Sequence, residues 1–276
     1  MLTRRQMLRR TTGLAALGAA FPAWARIAKI PVGLQLYSIR QDCAKDLPGS
    51  LAEVARIGYK GVEFAGYHGR KAEELRKLLD DNGLVCCGTH TGWSSILGDK
   101  LKETIAFNKT LGNKFLIVPG GLPAKTFTSL EGLKETARIF NEQSAKAREE
   151  GMYVGYHAHG GDFKKLEGET VWDLLFANTV KDVVMQLDVG NCLGGGGDPY
   201  ATIRKFPGRT LTIHIKEHGG PKGAPVGEGE VRWKEIFELC ETVGGTQWYI
   251  VEHETGAKPI ESVRACFENL RKMGKV

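Results

Sequence analysis

Glu150-Gly151-Met152-Tyr153-Val154-Gly155-Tyr156-His157-Ala158-His159, residues 150–159, contains the unit from which the rest of the chain is built. Gly151 follows a helical segment, where a left-handed C-cap needs a residue without a Cβ. Tyr153 to His159 is a short β-prone run. Successive strand side chains alternate in direction, so His157 and His159 share one face and interrupt a pattern that packing alone would keep apolar.

Runs of this kind recur at Val32–Ile39, Gly61–Ala65, Leu84–Thr89, Lys114–Pro119, Tyr153–His159, Val183–Val189, Leu211–Lys216 and Trp248–Glu252. Between them the apolar residues follow helical spacing. Leu47, Leu51, Val54, Ala55 and Ile57 form one face, Leu75, Leu78 and Leu79 another, and Ile236, Phe237 and Leu239 a third. Gly58, Gly83 and Gly112 mark helix ends as Gly151 does. Strand and helix alternating eight times predict a parallel sheet under covering helices. Eight units in about 250 residues fit a closed (β/α)₈ TIM barrel better than an open doubly wound sheet. An open sheet places a glycine fingerprint after its first strand, where this chain reads Gln35-Leu36-Tyr37-Ser38. No Pro- or Ser-rich linker interrupts 26–276, so this span is read as one α/β barrel domain.

The chain has 276 residues, 42% of them hydrophobic and 25% charged, which excludes disordered and fibrous classes. Its net charge is +6, but Arg4, Arg5, Arg9 and Arg10 stand in residues 1–25 without an acid. Subtracting those four leaves +2. A nearly neutral body lacks the basic face of a nucleic-acid binder, so no nucleic-acid partner is expected. Residues 1–25 combine Thr3-Arg4-Arg5-Gln6-Met7-Leu8-Arg9, a weakly apolar run from Thr12 to Phe21, and Ala23-Trp24-Ala25. These are the parts of a secretory signal of twin-arginine type. The apolar run is too short to span a bilayer comfortably, which takes about 20 residues. The mature protein is therefore expected to begin near Arg26 in the periplasm, without stable membrane insertion. Cys43, Cys86, Cys87, Cys192, Cys240 and Cys266 form no C-x-x-C pair and read as buried small hydrophobes, with one disulfide left open.

In this barrel chemistry belongs at the carboxyl ends of the strands. The runs end at Glu63, His90, His157 with His159, Asp188, His214 with Lys216, and Glu252 with Glu254. Four of the seven histidines are among them. Carboxylates and imidazoles converging from neighbouring strands cost several kcal/mol each if buried unpaired, and one divalent cation satisfies them together.

The series Gly155-Tyr156-His157-Ala158-His159, Leu187-Asp188-Val189-Gly190-Asn191, His214-Ile215-Lys216-Glu217 and Ile250-Val251-Glu252 resembles the xylose isomerase-like barrels. More narrowly it is similar to the sugar phosphate isomerase/epimerase group. Val32-Gly33-Leu34-Gln35-Leu36-Tyr37-Ser38 and Gly61-Val62-Glu63-Phe64 carry the same likeness. The resemblance implies one divalent ion held by four residues on strands five to eight. Asp188, His214 and Glu252 match three of these positions. The first, a glutamate in those epimerases, falls on His157, with His159 as the alternative. Two nitrogens and two oxygens suit Mn²⁺, Co²⁺, Zn²⁺ or Fe²⁺ better than Mg²⁺.

The departure at His157 removes one of the two facing carboxylates that a two-base epimerase uses. The overall expectation is a sugar isomerase or epimerase working through an enediolate. The departure favours one-base chemistry on one face: aldose–ketose isomerisation, or β-elimination by a lyase or dehydratase acting on a keto-sugar or 3-keto-glycoside. Glu252 is expected to carry the proton, Lys216 and His159 to assist, and Glu63, His90, Lys216 and Glu228 to contact substrate. A non-catalytic sugar-binding barrel is the reading of another class. DNA repair is disfavoured, since Asn191 stands where the abasic-site endonucleases of this superfamily need a histidine. Gly194–Gly197 lacks the Lys and Ser/Thr of a phosphate loop and reads as a mobile loop beside the site. The expected partner is a small sugar or keto-sugar, and the oligomeric state is left open, a homo-oligomer included.

Overall fold

A computed structural model describes residues 29–254 and 258–276. The expected signal, 1–25, lies outside the described residues. The eight barrel strands are β1 (Val32–Gln35), β2 (Gly61–Phe64), β3 (Val85–His90), β4 (Phe115–Val118), β5 (Tyr153–His157), β6 (Val184–Gln186), β7 (Thr212–Ile215) and β8 (Trp248–Val251). Their helices are α1 (Leu47–Ile57), α2 (Ala72–Asp81), α3 (Lys100–Leu111), α4 (Leu130–Glu149), α5 (Val171–Ala177), α6 (Pro199–Lys205), α7 (Trp233–Leu239) and α8 (Pro259–Lys272). All ladders are parallel, in the order β6-β5-β4-β3-β2-β1-β8-β7. The expected TIM barrel is the fold. A small hairpin, Lys165–Leu166 with Glu169–Thr170, decorates the β5–α5 connection.

The seam between β6 and β7 has no ladder. A single parallel bridge, Asp188 with His214, joins them at the top. Lower down, Arg209 is buried and donates to the carbonyls of Phe176, Val180 and Val183 at 2.6, 2.9 and 2.9 Å. Burial lowers its pKa to about 10, which still leaves it charged at neutral pH.

The helical faces read from sequence are the buried ones: Leu47, Leu51, Val54 and Ile57 on α1, Leu75 and Leu79 on α2, Ile236, Phe237 and Leu239 on α7. Gly58 (φ 120°) and Gly112 (φ 74°) cap α1 and α3 in the left-handed region. Strand ends differ from expectation. The first run leaves the sheet after Gln35 for a 3₁₀ turn over Leu36–Ile39, and the sixth ends at Gln186, before a short helix over Val189–Gly194. All six cysteines are buried and unpaired.

Inside the barrel the layers change character with height. Phe115, Ile117 and Val184 make an apolar floor, joined by Tyr153, Leu211 and Trp248. The floor leaves no room below His157, because a Cβ on Gly155 would lie 2.7 Å from Ile117 and Val184. Above it the interior is polar.

Candidate active site

The middle layer is centred on Glu63, which is wholly buried. Gln35 and Gln186 donate to its two oxygens at 2.7 and 2.8 Å, and His214 Nε2 stands 2.6 Å from Oε2. His90 Nε2 lies 3.3 Å from the same oxygen and 3.1 Å from Gln186 Oε1. Burial opposes the charge on Glu63, but His90 and His214 outweigh it and hold the carboxyl well below its usual range. Glu63 was expected to contact substrate. With its lone pairs occupied and no exposed surface, it instead orients His214. Gly88 makes room for it: a Cβ there would lie 2.4 Å from Glu63 Oε1.

The upper layer holds His157, Asp188, His214 and Glu252, each with one ligand-type atom within 4.8 Å of the others. With Nε2 committed to Glu63, His214 turns Nδ1 upward, 2.6 Å from Glu252 Oε2 and 3.8 Å from Asp188 Oδ2. His157 Nε2 is 3.8 Å from Glu252 Oε2. Asp188 caps the short helix that follows it, Oδ1 accepting from Asn191 N at 2.7 Å. Its Oδ2 and His157 Nδ1 are buried without a hydrogen-bond partner. An orphaned carboxylate oxygen is costly in a dry interior. Two imidazoles and two carboxylates around it therefore fit a divalent cation.

Charges in this layer are strongly coupled. Burial disfavours the His214 cation, yet Glu63 and Glu252 at its two nitrogens raise it to about 10. Burial pushes Asp188 up to about 7, against the pull of Lys216. Glu252 is also opposed by burial, but His214, then His157 and Lys216, keep it well below the usual carboxylate range. His157 is held neutral by burial and by the neighbouring imidazoles.

At the mouth, Lys216 is ion-paired with Glu254, and its Nζ is 3.9 Å from Asp188 Oδ2. Burial opposes its charge, but Asp188 and Glu252 reverse the effect, so the ammonium persists above its ordinary range. His159 is exposed, its ring edge-on to His157 with centroids 4.8 Å apart. It lies outside the four-residue cluster, which takes His157. His159 is set by Asp162, whose Oδ2 accepts from its backbone N at 2.7 Å while Oδ1 accepts from Tyr156. His90 lies within reach of both layers, with ring centroids 4.8 Å from His157 and 5.5 Å from His214.

Two expectations about the surrounding loops change. Glu228 is exposed and accepts from Asn269 on α8 at 3.0 Å, away from the cluster. The loop is organised by Glu217, which accepts from the backbone of Gly227 and Val231 and from Trp233 Nε1. Within Gly194–Gly197, Gly195 and Gly197 are packed against neighbours, while Gly194 and Gly196 are exposed. A Cβ at Gly195 would lie 2.3 Å from Gly160 O, and one at Gly197 2.5 Å from Phe163. They let this segment close onto the turn after His159.

Sequence reading missed Gln35, Gln186, Gly88 and Asp162. The two glutamines carried the signal that exposed the histidines, a polar residue interrupting a buried run. A hollow of 430 Å³ opens at the other end of the barrel between Lys29, Lys60, Phe267 and Arg271. That face of such barrels serves stability, so the chemistry is read from the cluster.

A family model described as xylose isomerase-like TIM barrel matches residues 51–273. Inosose dehydratase of Clostridium perfringens is 25% identical over 255 residues, covering 76% of this chain and 84% of that relative. The crystal structure of a sugar phosphate isomerase/epimerase from Parabacteroides distasonis superposes with a TM-score of 0.77 at 27% identity, covering 89% of this chain and 99% of the other. L-ribulose 3-epimerase shares the fold, with a TM-score of 0.64 at 14% identity over 89% of this chain and 97% of the other.

Proposed function

The chain belongs to the xylose isomerase-like TIM barrel family and is an enzyme, and we propose that it moves a proton at a carbon next to a carbonyl of a small polyhydroxylated substrate. The observation that carries this is the cluster of His157, Asp188, His214 and Glu252, with an orphaned carboxylate oxygen in a buried layer. These four residues would hold one divalent cation. Such an ion, when bound, polarises a carbonyl as a Lewis acid.

The remaining work falls to side chains. Glu252 is anionic throughout the neutral range, the state a general base needs, and it stands at the open end of the cluster. It takes the proton from the substrate carbon and leaves an enediolate. Lys216 stays cationic and offers hydrogen-bond donors to the developing oxyanion. Return of the proton by Glu252 to the neighbouring carbon gives an isomer, whereas an epimer needs a proton from the opposite face, a role left to Lys216 or His159. Asp188 helps keep Lys216 charged, and Glu63 keeps His214 oriented, so neither is placed to exchange a proton with substrate.

β-Elimination is the second reading, favoured by the likeness to inosose dehydratases. It uses the same first step, after which a hydroxyl on the next carbon departs as water. Glu252, which now carries the abstracted proton, can return it to a hydroxyl leaving from the same face, with the Lys216 ammonium as a second donor within this set. The test is incubation of the Mn²⁺-loaded enzyme with a panel of ketoses and inososes in D₂O. Deuterium at the carbon beside the carbonyl supports the proposal. Mass loss of one water selects elimination, and a mass change by deuterium alone selects isomerisation or epimerisation. Turnover with neither exchange nor a primary isotope effect from deuterium placed at that carbon rejects proton abstraction.

A further inference from the structure

We propose that the cavity beside His90 is a subsite for a second, covalently linked polyhydroxylated ring, so that the substrate of the reaction proposed above carries two rings; the inference rests on that reading. The cavity has a volume of 250 Å³ and lies on the carboxyl-end rim, between the segments after β2 and β3 and the middle of α3. His90 is its wall on the cluster side. A molecule with its reacting ring over the cluster reaches the cavity across this one residue.

The lining is of two kinds. Tyr67 and Phe107 stand with ring centroids 4.3 Å apart and present an apolar wall, suited to the C–H face of a sugar ring. Opposite hydrogen-bonding character comes from Thr91, Ser95 and Glu103. Ser95 is half-buried and Glu103 exposed, so both can turn to a ligand in the cavity. Tyr67 is fixed by Asn108, which donates to its hydroxyl at 3.0 Å. Asn108 is itself held by Thr89 and Asn113. No Lys or Arg lines the cavity, and Glu103 is acidic, which argues against a phosphate and for a neutral ring. At 250 Å³ it is smaller than the roughly 300–1,000 Å³ of pockets that take a whole drug-sized ligand, which suits one ring.

The experiment compares 3-keto-cellobiose with 3-keto-glucose, reading kcat/KM for solvent deuterium exchange by the metal-loaded enzyme. Two variants address the cavity. Phe107→Ala removes the stacking wall. Gly92→Leu fills the space without backbone strain, since Gly92 has φ −57° and a Cβ there meets only Ser95 Oγ, at 3.9 Å. The parent enzyme is expected to prefer the disaccharide, and each variant to lower its kcat/KM about tenfold or more while keeping the monosaccharide within about twofold. Equal losses for both probes, or no preference in the parent enzyme, overturn the subsite and leave the reaction standing. Absence of exchange with both probes in an enzyme that exchanges with the ketose and inosose panel overturns the subsite alone, and absence with that panel as well overturns both.

Discussion

His214 connects the two polar layers, and its protonation carries the sharpest expectation at the scale of single residues. It is raised to about 10, so a metal-free protein keeps a proton on it at neutral pH. A cation binding at Nδ1 has to displace that proton, and binding therefore tightens as pH rises. Calorimetric titration with Mn²⁺ at pH 6.5, 7.5 and 8.5, in buffers of different ionisation enthalpy, should show release of about one proton per ion or more. Binding independent of pH would exclude His214 as a ligand. Stability of the metal-free form follows the same charges. The His214 contribution is complete below its ordinary value of 6.5 and is lost as pH climbs towards about 10. The Glu252 contribution is present above the ordinary carboxylate value of 4.5 and is lost as pH falls below it. The melting temperature of the metal-free protein is therefore expected to be highest between about pH 4.5 and 6.5 as far as these groups decide it. Removing His214 should abolish stoichiometric metal while leaving circular dichroism near that of the parent. The residue types of the upper layer were readable from sequence because each interrupts an apolar run. Glu63 was misassigned, because a strand-end carboxylate reads the same whether it faces substrate or, like Glu63, braces an imidazole.

At the scale of elements, eight strand–helix units were readable because apolar spacing and helix-ending glycines repeat. Strand ends were less so. Where Gln35 and Asp188 take over as side-chain acceptors for the turns that follow, the backbone leaves the ladder while the apolar run continues. The bulge between β2 and β3 was also invisible, though it sets Glu63 over Gly88. Gly88→Ala should force that carboxylate aside, lower stability by about 1–3 kcal/mol and weaken metal binding. Denaturant melts and Mn²⁺ titration check both, and unchanged metal affinity would separate Glu63 from the site. The seam between β6 and β7 gives a second test. Arg209→Met removes a buried donor from the carbonyls of Phe176, Val180 and Val183, of which the first two keep Thr179 and the Val183 N–H. The change is expected to cost about 1–3 kcal/mol in denaturant melts.

For the whole molecule, the barrel keeps its apolar floor low and gathers its costly polar groups at the carboxyl end, where a bound ion and substrate can reach them. Among the described residues no helix is long and apolar enough to cross a membrane. Export remains a proposal that rests on Arg4, Arg5 and Ala23-Trp24-Ala25. Replacing Arg4 and Arg5 together by Lys should leave the protein in the cytoplasm, and undiminished export would reject the twin-arginine route. The central claim concerns Glu252, a buried anion at the mouth of the cluster. Glu252→Gln preserves shape and one oxygen ligand but cannot accept a proton. With metal occupancy matched, deuterium incorporation at the carbon beside the substrate carbonyl should fall by roughly 10²-fold or more, the usual worth of a general base. Exchange at the parent rate in that variant would contradict the assignment of Glu252 as the base.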